Sequence, residues 1–203
     1  MKTINKYSAS SMLIHWAMAL IILSMLFLGL SMVQNLAVWQ VEAIALHKSF
    51  GILALVLVAI RLINKVVTTS PALPPSVPKA QALAAHLTQV GLYASMILMP
   101  ISGWLMQSAD GRHVSFFGLL TLPSLVSKDI ETYAFFREAH GLIAYAFLLF
   151  IFMHVSAALY HGLIKQDGVL ERKKISVQGI FKKLKEGKLE RNKEINIIAH
   201  ICS

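Results

Sequence analysis

The chain has 203 residues, 56% of them apolar and only 14% charged, with a positive mean hydropathy, which excludes an ordinary soluble domain. Its formal charge of +9, from 19 Lys and Arg against 10 Asp and Glu, would point to nucleic acid in a soluble protein, but in a membrane protein it reports sidedness, and no nucleic acid partner is expected. A single cysteine, Cys202, rules out an intramolecular disulfide, a cysteine-based metal cluster and a covalent CxxCH attachment, so any metal cofactor must be held by histidine.

In chain order, four stretches are long and apolar enough to cross a hydrocarbon core as helices, which takes about 20 residues. They run from Ser11 to Val33, Ile44 to Val66, Leu83 to Met106 and Glu138 to Ile164. The first is too long for the core of a signal peptide and is expected to be retained. Between the second and third, Pro71, Pro74, Pro75 and Pro78 exclude a helix. Pro100 falls inside the third, where it is expected to kink the helix or locally free a carbonyl that neighbouring helices can satisfy.

The connection from Gln107 to Arg137 is long enough to carry function or a short surface helix, and its aromatics suit a segment lying against the interface. The expected fold class is therefore all-α, an integral membrane four-helix bundle over residues 1–174. Residues 175–203 form a basic tail, a solvated or surface-lying segment attracted to anionic lipid.

Basic residues near helix ends stay cytoplasmic. The amino end, the Pro-rich linker and the carboxyl tail hold 15 of the 19, namely Lys2, Lys6, Arg61, Lys65, Lys79 and ten from Lys165 onward. Both termini are thus expected in the cytoplasm. Lys48, Arg112, Lys128 and Arg137 fall on the outer side, together with Glu42, Asp110, Asp129, Glu131 and Glu138.

Ionisable side chains inside a membrane are costly and mark functional sites by default. Five of the eight histidines fall within the expected helices: His15, His47, His86, His140 and His154. His140 and His154 are 14 residues apart on one helix, which brings them within about 40° of the same face and about 21 Å apart along the axis. One helix can therefore serve two cofactors at two depths.

Helix direction supplies the partners. His15 lies just inside the cytoplasmic start of the first helix, level with His154, and His47 lies near the outer start of the second, level with His140. The expected pairs are His15 with His154 and His47 with His140. Each has a small residue at i+4, namely Ala19, Gly51, Ala144 and Ala158, which leaves room for a flat ring system, whereas His86 and His161 are followed by Val90 and Lys165. Paired imidazoles without a nearby carboxylate or cysteine favour haem iron over zinc or copper. The weaker candidates for the haem surroundings are Arg61, His86 and His161. His113 reads as a loop surface residue, and Trp16 and Trp104 as interface or packing aromatics.

With these pairs in place the chain resembles the bacterial cytochrome b561 family. The matching stretches are IHW from Ile14, LHKSFG from Leu46, the Arg61 region, the small and polar run Pro100 to Trp104, HGLIAY from His140, and HVSAALYH from His154 followed by KQDGVLER. The resemblance covers about residues 5–174. It implies a four-helix bacterial inner-membrane protein with two haems b stacked across the bilayer, ligated by His15, His47, His140 and His154, and linked to quinone. Some members resemble a superoxide oxidase that delivers electrons to ubiquinone. Where the family often has a second histidine in the third helix, this chain has Gln89, three residues after His86.

The leading functional expectation is electron transfer from a small outer-face donor, superoxide first, to ubiquinone, with the four outer basic residues concentrating the donor. The alternatives are a cytochrome b subunit linking a partner dehydrogenase or hydrogenase to the quinone pool, and a membrane packing or transport protein without haem.

Overall fold

The structure, a computed structural model, describes residues 8–34, 38–68 and 77–166. Within them the chain forms four long helices: α1 (Ala9–Gln34), α2 (Gln40–Val67), α3 (Lys79–Ala109) and α4 (Ile130–Leu159). Each is long and apolar enough to cross a membrane. α4 continues into a π-helical turn, Tyr160–Lys165. Pro71, Pro74 and Pro75 and the basic tail lie outside the described residues; Pro78 immediately precedes α3, where a missing N–H is harmless.

Polarity is arranged for lipid. The side chains that face outward are large and apolar, such as Leu20, Phe27, Leu142 and Phe152, while Ser49, Thr88, Ser95 and Ser102 are buried. A hydroxyl is tolerated there because it can return to a carbonyl of its own helix: Ser95 Oγ donates to Gly91 O at 2.8 Å and Ser108 Oγ to Trp104 O at 3.0 Å. Gly91 of α3 seats a ring of α4, since a Cβ there would stand 2.5–2.7 Å from three ring atoms of Phe150.

The helices zip in sequence order. Backbones of α1 and α2, α2 and α3, and α3 and α4 come close, whereas neither α1 nor α2 makes comparable contact with α4. A seam is left between α4 and the α1–α2 pair.

The connection expected from Gln107 to Arg137 is shorter at both ends, because α3 runs to Ala109 and α4 begins at Ile130. Asp129 explains the early start of α4. It is extended, its carboxylate accepts the Thr132 N–H at 2.8 Å, and Glu131 follows in the first turn, where the helix dipole favours negative charge. The Asp129 N–H in turn donates to Ala109 O at 2.9 Å, tying the end of α3 to the start of α4. Tyr133, Phe135 and Phe136 therefore belong to α4 and not to the loop.

Between them lies a small antiparallel hairpin instead of a surface helix: β1 (Ser115–Phe116) and β2 (Leu120–Thr121), with Ser115 opposite Thr121. Two-residue strands cannot hold themselves, and α2 anchors them. Ser49 Oγ accepts the Phe117 N–H at 3.0 Å, and its own hydrogen is shared between the carbonyls of Ala45 and Ser115, both at 3.1 Å. Phe117 sits in the left-handed region at φ 50°, unusual for a bulky residue, with its ring against Phe50 at 5.2 Å between centres. Trp104 Nε1 donates to Pro123 O at 3.0 Å, holding the rest of the connection on α3.

Candidate functional site

Two pairs of imidazoles bridge the seam. His15 on α1 faces His154 on α4 with ring centres 6.2 Å apart, and His47 on α2 faces His140 on α4 at 6.3 Å. Along α4, His140 and His154 are 14 residues apart, or about 21 Å at 1.5 Å per residue. Two imidazoles sharing one iron, with metal–nitrogen bonds of about 2.0 Å and ring centres about 1.1 Å beyond, have centres roughly 6.2 Å apart. Both pairs fit that spacing.

Each ring of the His47/His140 pair is braced by a glycine of the neighbouring helix. A Cβ at Gly29 of α1 would stand 3.4 Å from His47 Cε1, and one at Gly103 of α3 would stand 3.1 Å from His140 Cε1 and 3.4 Å from its Nδ1. These are contacts between helices, so no spacing along the sequence announces them. Gly51, by contrast, has no atom within 4 Å of where a Cβ would be, and lines the open space between His47 and His140. That space is walled by Met18, Met25, Ala54, Met96, Met99 and Phe147, a flexible and almost wholly apolar lining. Ala144 lies part-buried on α4, one turn beyond His140.

The space beside His15 is more polar. It is lined by His15, Trp16, Arg61, Asn64, Lys65 and Tyr93, among others. Arg61 Nε donates to Tyr93 Oη at 3.2 Å, and Lys65 Nζ stands 4.8 Å from the centre of the same ring. Ser11 Oγ donates to Asn64 Oδ1 at 2.7 Å, joining α1 to α2 at this end. Two cations beside a histidine pair provide partners for carboxylates, such as those of a porphyrin edge.

The other candidates are scattered. His86 is exposed on α3 and lines neither space, and His161, on the π-helical turn, stacks edge-on against Tyr160 at 5.7 Å. Among the outer basic residues, Lys48 is part-buried and close enough to Arg112 to repel it. Arg112 is ion-paired with Asp110, and the stem of Lys128 packs over Gly111, which adopts φ +78°. Three of the four thus gather around the turn that ends α3. Arg137 stands exposed two turns into α4.

Among the described residues no three His, Cys, Asp or Glu side chains cluster as a metal site. Each pair offers two protein ligands, whereas zinc takes three or four. Two opposed imidazoles with room for a flat ring between them suit iron in a porphyrin.

Comparison with known proteins gives the same direction. Residues 6–172 match the family described as prokaryotic cytochrome b561. Cytochrome b561 homolog 2 of Escherichia coli strain K12 is 33% identical over 172 residues, covering 84% of this chain and 92% of its own length. Cytochrome b561 homolog 1 of the same strain is 27% identical over 176 residues, covering 83% and 96%.

Proposed function

The chain belongs to the prokaryotic cytochrome b561 family, a multi-pass bacterial membrane electron-transfer protein, and from that premise we propose that it oxidises superoxide at the outer face and reduces ubiquinone within the membrane. Two superoxide ions give two electrons and become two molecules of oxygen; one quinone takes both electrons with two protons and becomes quinol. The observation that carries the reading is the two imidazole pairs, 6.2 and 6.3 Å between ring centres, at two levels of one bundle.

His15 with His154 and His47 with His140 are the residues that would hold two haems b. Haem, when bound there, would supply one-electron chemistry, and two imidazoles on its iron would leave no position open for oxygen. The residues around it do the rest. Met18, Met25, Met96, Met99 and Phe147 exclude water from the His47/His140 pair. Arg61 and Lys65 supply positive charge beside His15, where a porphyrin's carboxylates would lie. Lys48, Arg112 and Lys128, gathered at the end of α3, raise the local concentration of a small anion. Both termini are cytoplasmic in this reading, since most of the basic residues then lie inside.

A second reading, a haem subunit for a partner dehydrogenase or hydrogenase, is favoured by one feature: the hairpin presents Leu119 and Leu120, 85% and 62% exposed, at the same end as His47.

A pyridine haemochrome assay on the purified chain is expected to give two haems b per polypeptide; none would sink both readings. Mixing that protein with superoxide and a quinone analogue in stopped flow is expected to show haem reduction and quinol formation. Haem that stays oxidised in superoxide, together with a catalytic subunit that co-purifies, would replace the first reading by the second.

A further inference from the structure

Ser102 is a hydroxyl where the surroundings are otherwise apolar. It is 5% exposed, lies two residues beyond Pro100 and immediately precedes Gly103, which sets α3 against the His140 ring. Its Oγ is 2.8 Å from the Met99 carbonyl and 3.0 Å from His140 Nδ1. A carbonyl only accepts, so the one hydroxyl hydrogen goes to Met99 and the oxygen's lone pairs face the ring. His140 Nδ1 is then the donor. A neutral imidazole with its proton on Nδ1 keeps its free lone pair on Nε2, the nitrogen left for iron. The opposite ring is built differently, since His47 Nδ1 is buried with no hydrogen-bond partner. Other hydroxyls of α3 have no such role: Ser95 donates to the Gly91 carbonyl alone.

We propose that Ser102 is a positioning residue that fixes the ligating tautomer of His140 and holds down the reduction potential of the haem between His47 and His140. The proposal rests on the haem reading above. An acceptor on Nδ1–H pushes electron density toward Nε2, makes the imidazole a stronger donor, and so favours ferric over ferrous iron. Within this pair only His140 has that support, and Ser102 is the side chain that gives it, beside the Met99 carbonyl that the same ring also meets.

The test is a spectroelectrochemical titration of the full-length haem-loaded protein in detergent, comparing wild type with Ser102→Ala, Ser102→Thr and Ser95→Ala. Ser102→Ala is expected to keep two haems and to raise one potential by a roughly three- to tenfold shift in the ferrous to ferric ratio, about 30–60 mV for one electron. The component that moves is the one that disappears in His47→Ala. Ser102→Thr, which retains the hydroxyl, and Ser95→Ala stay at the wild-type values. Two haems with both potentials unmoved in Ser102→Ala overturn the proposal, as does an equal shift in Ser95→Ala. Haem lost from Ser102→Ala and restored in Ser102→Thr supports it; haem lost from both assigns the site to volume and overturns it. A wild-type chain without haem would sink the function proposed above, a different result from two haems that ignore Ser102.

Discussion

Replacing Gly103 by alanine sets a methyl carbon 3.1 Å from His140 Cε1 and 3.4 Å from Nδ1. Carbon atoms at rest prefer about 3.5–4.0 Å, so the ring or the helix must retreat by roughly half an ångström. The imidazole cannot retreat freely. Its Nδ1 is 3.0 Å from Ser102 Oγ, and the same displacement would stretch that bond to the edge of its useful range. Overpacking of this kind costs about 1–3 kcal/mol, a five- to 140-fold bias against the seated ring at 1.4 kcal/mol per tenfold. On the proposed ligation, the expected result is protein that keeps the haem assigned to His15 and His154 but is substoichiometric in the other, measured as haem per chain with the optical spectrum of what remains. Gly103→Val should be more severe. Gly141→Ala is the control, since it adjoins His140 yet has no atom within 4 Å of a new Cβ, and alanine is the better helix former by about 1 kcal/mol. Two haems with unaltered spectra in both Gly103 variants would refute the reasoning that this glycine is there to seat the ring.

Three further outcomes follow from the fold. Gly91→Ala collides with the Phe150 ring and should lower thermal stability in detergent by about 1–3 kcal/mol, with Phe150→Leu in the same chain restoring most of it. Ser49→Ala strips the Phe117 N–H of its acceptor, a loss of about 1–3 kcal/mol confined to the hairpin, so proteolysis at 115–121 should accelerate while haem content is unchanged. Hydrogen bonds from Thr132, side chain first and then backbone, hold the Asp129 carboxyl below its ordinary value. A depressed carboxyl stabilises above its unfolded pKa, and that contribution fades as pH falls through the folded value; protection of the Thr132 amide, corrected for intrinsic exchange, should therefore drop only below about pH 4. Asp129→Asn, which still caps, should abolish that dependence.

The four spans were legible because lipid demands about 20 apolar residues in a row, a requirement that acts on composition and hardly on tertiary detail. Their ends were less so. α4 starts eight residues before the apolar stretch at Glu138 because Asp129 caps it, and a cap is a matter of one side chain in a charged neighbourhood that hydropathy reads as loop. The hairpin escaped because its anchor, Ser49, lies 66 residues away from Ser115 and on another helix. The depth of each histidine along its helix follows from the sequence, as does the 14-residue interval between His140 and His154. What presses on each ring does not. Gly29 meets His47 and Gly103 meets His140 across helix boundaries, while the small residues at i+4 include Gly51, which meets nothing and instead leaves space.

The seam between α4 and the α1–α2 pair bears on how the molecule is made. A ribbon of helices zipped one to the next can leave the insertion machinery as three successive hairpins, with its long edge still gaping to the lipid. Among the described residues the two imidazole pairs reach across the seam, so on the proposed ligation the last act of assembly is closure around the haems. Cells starved of porphyrin should accordingly accumulate an inserted but splayed chain, one that quality-control proteases can tell from the finished article by the width of its opening.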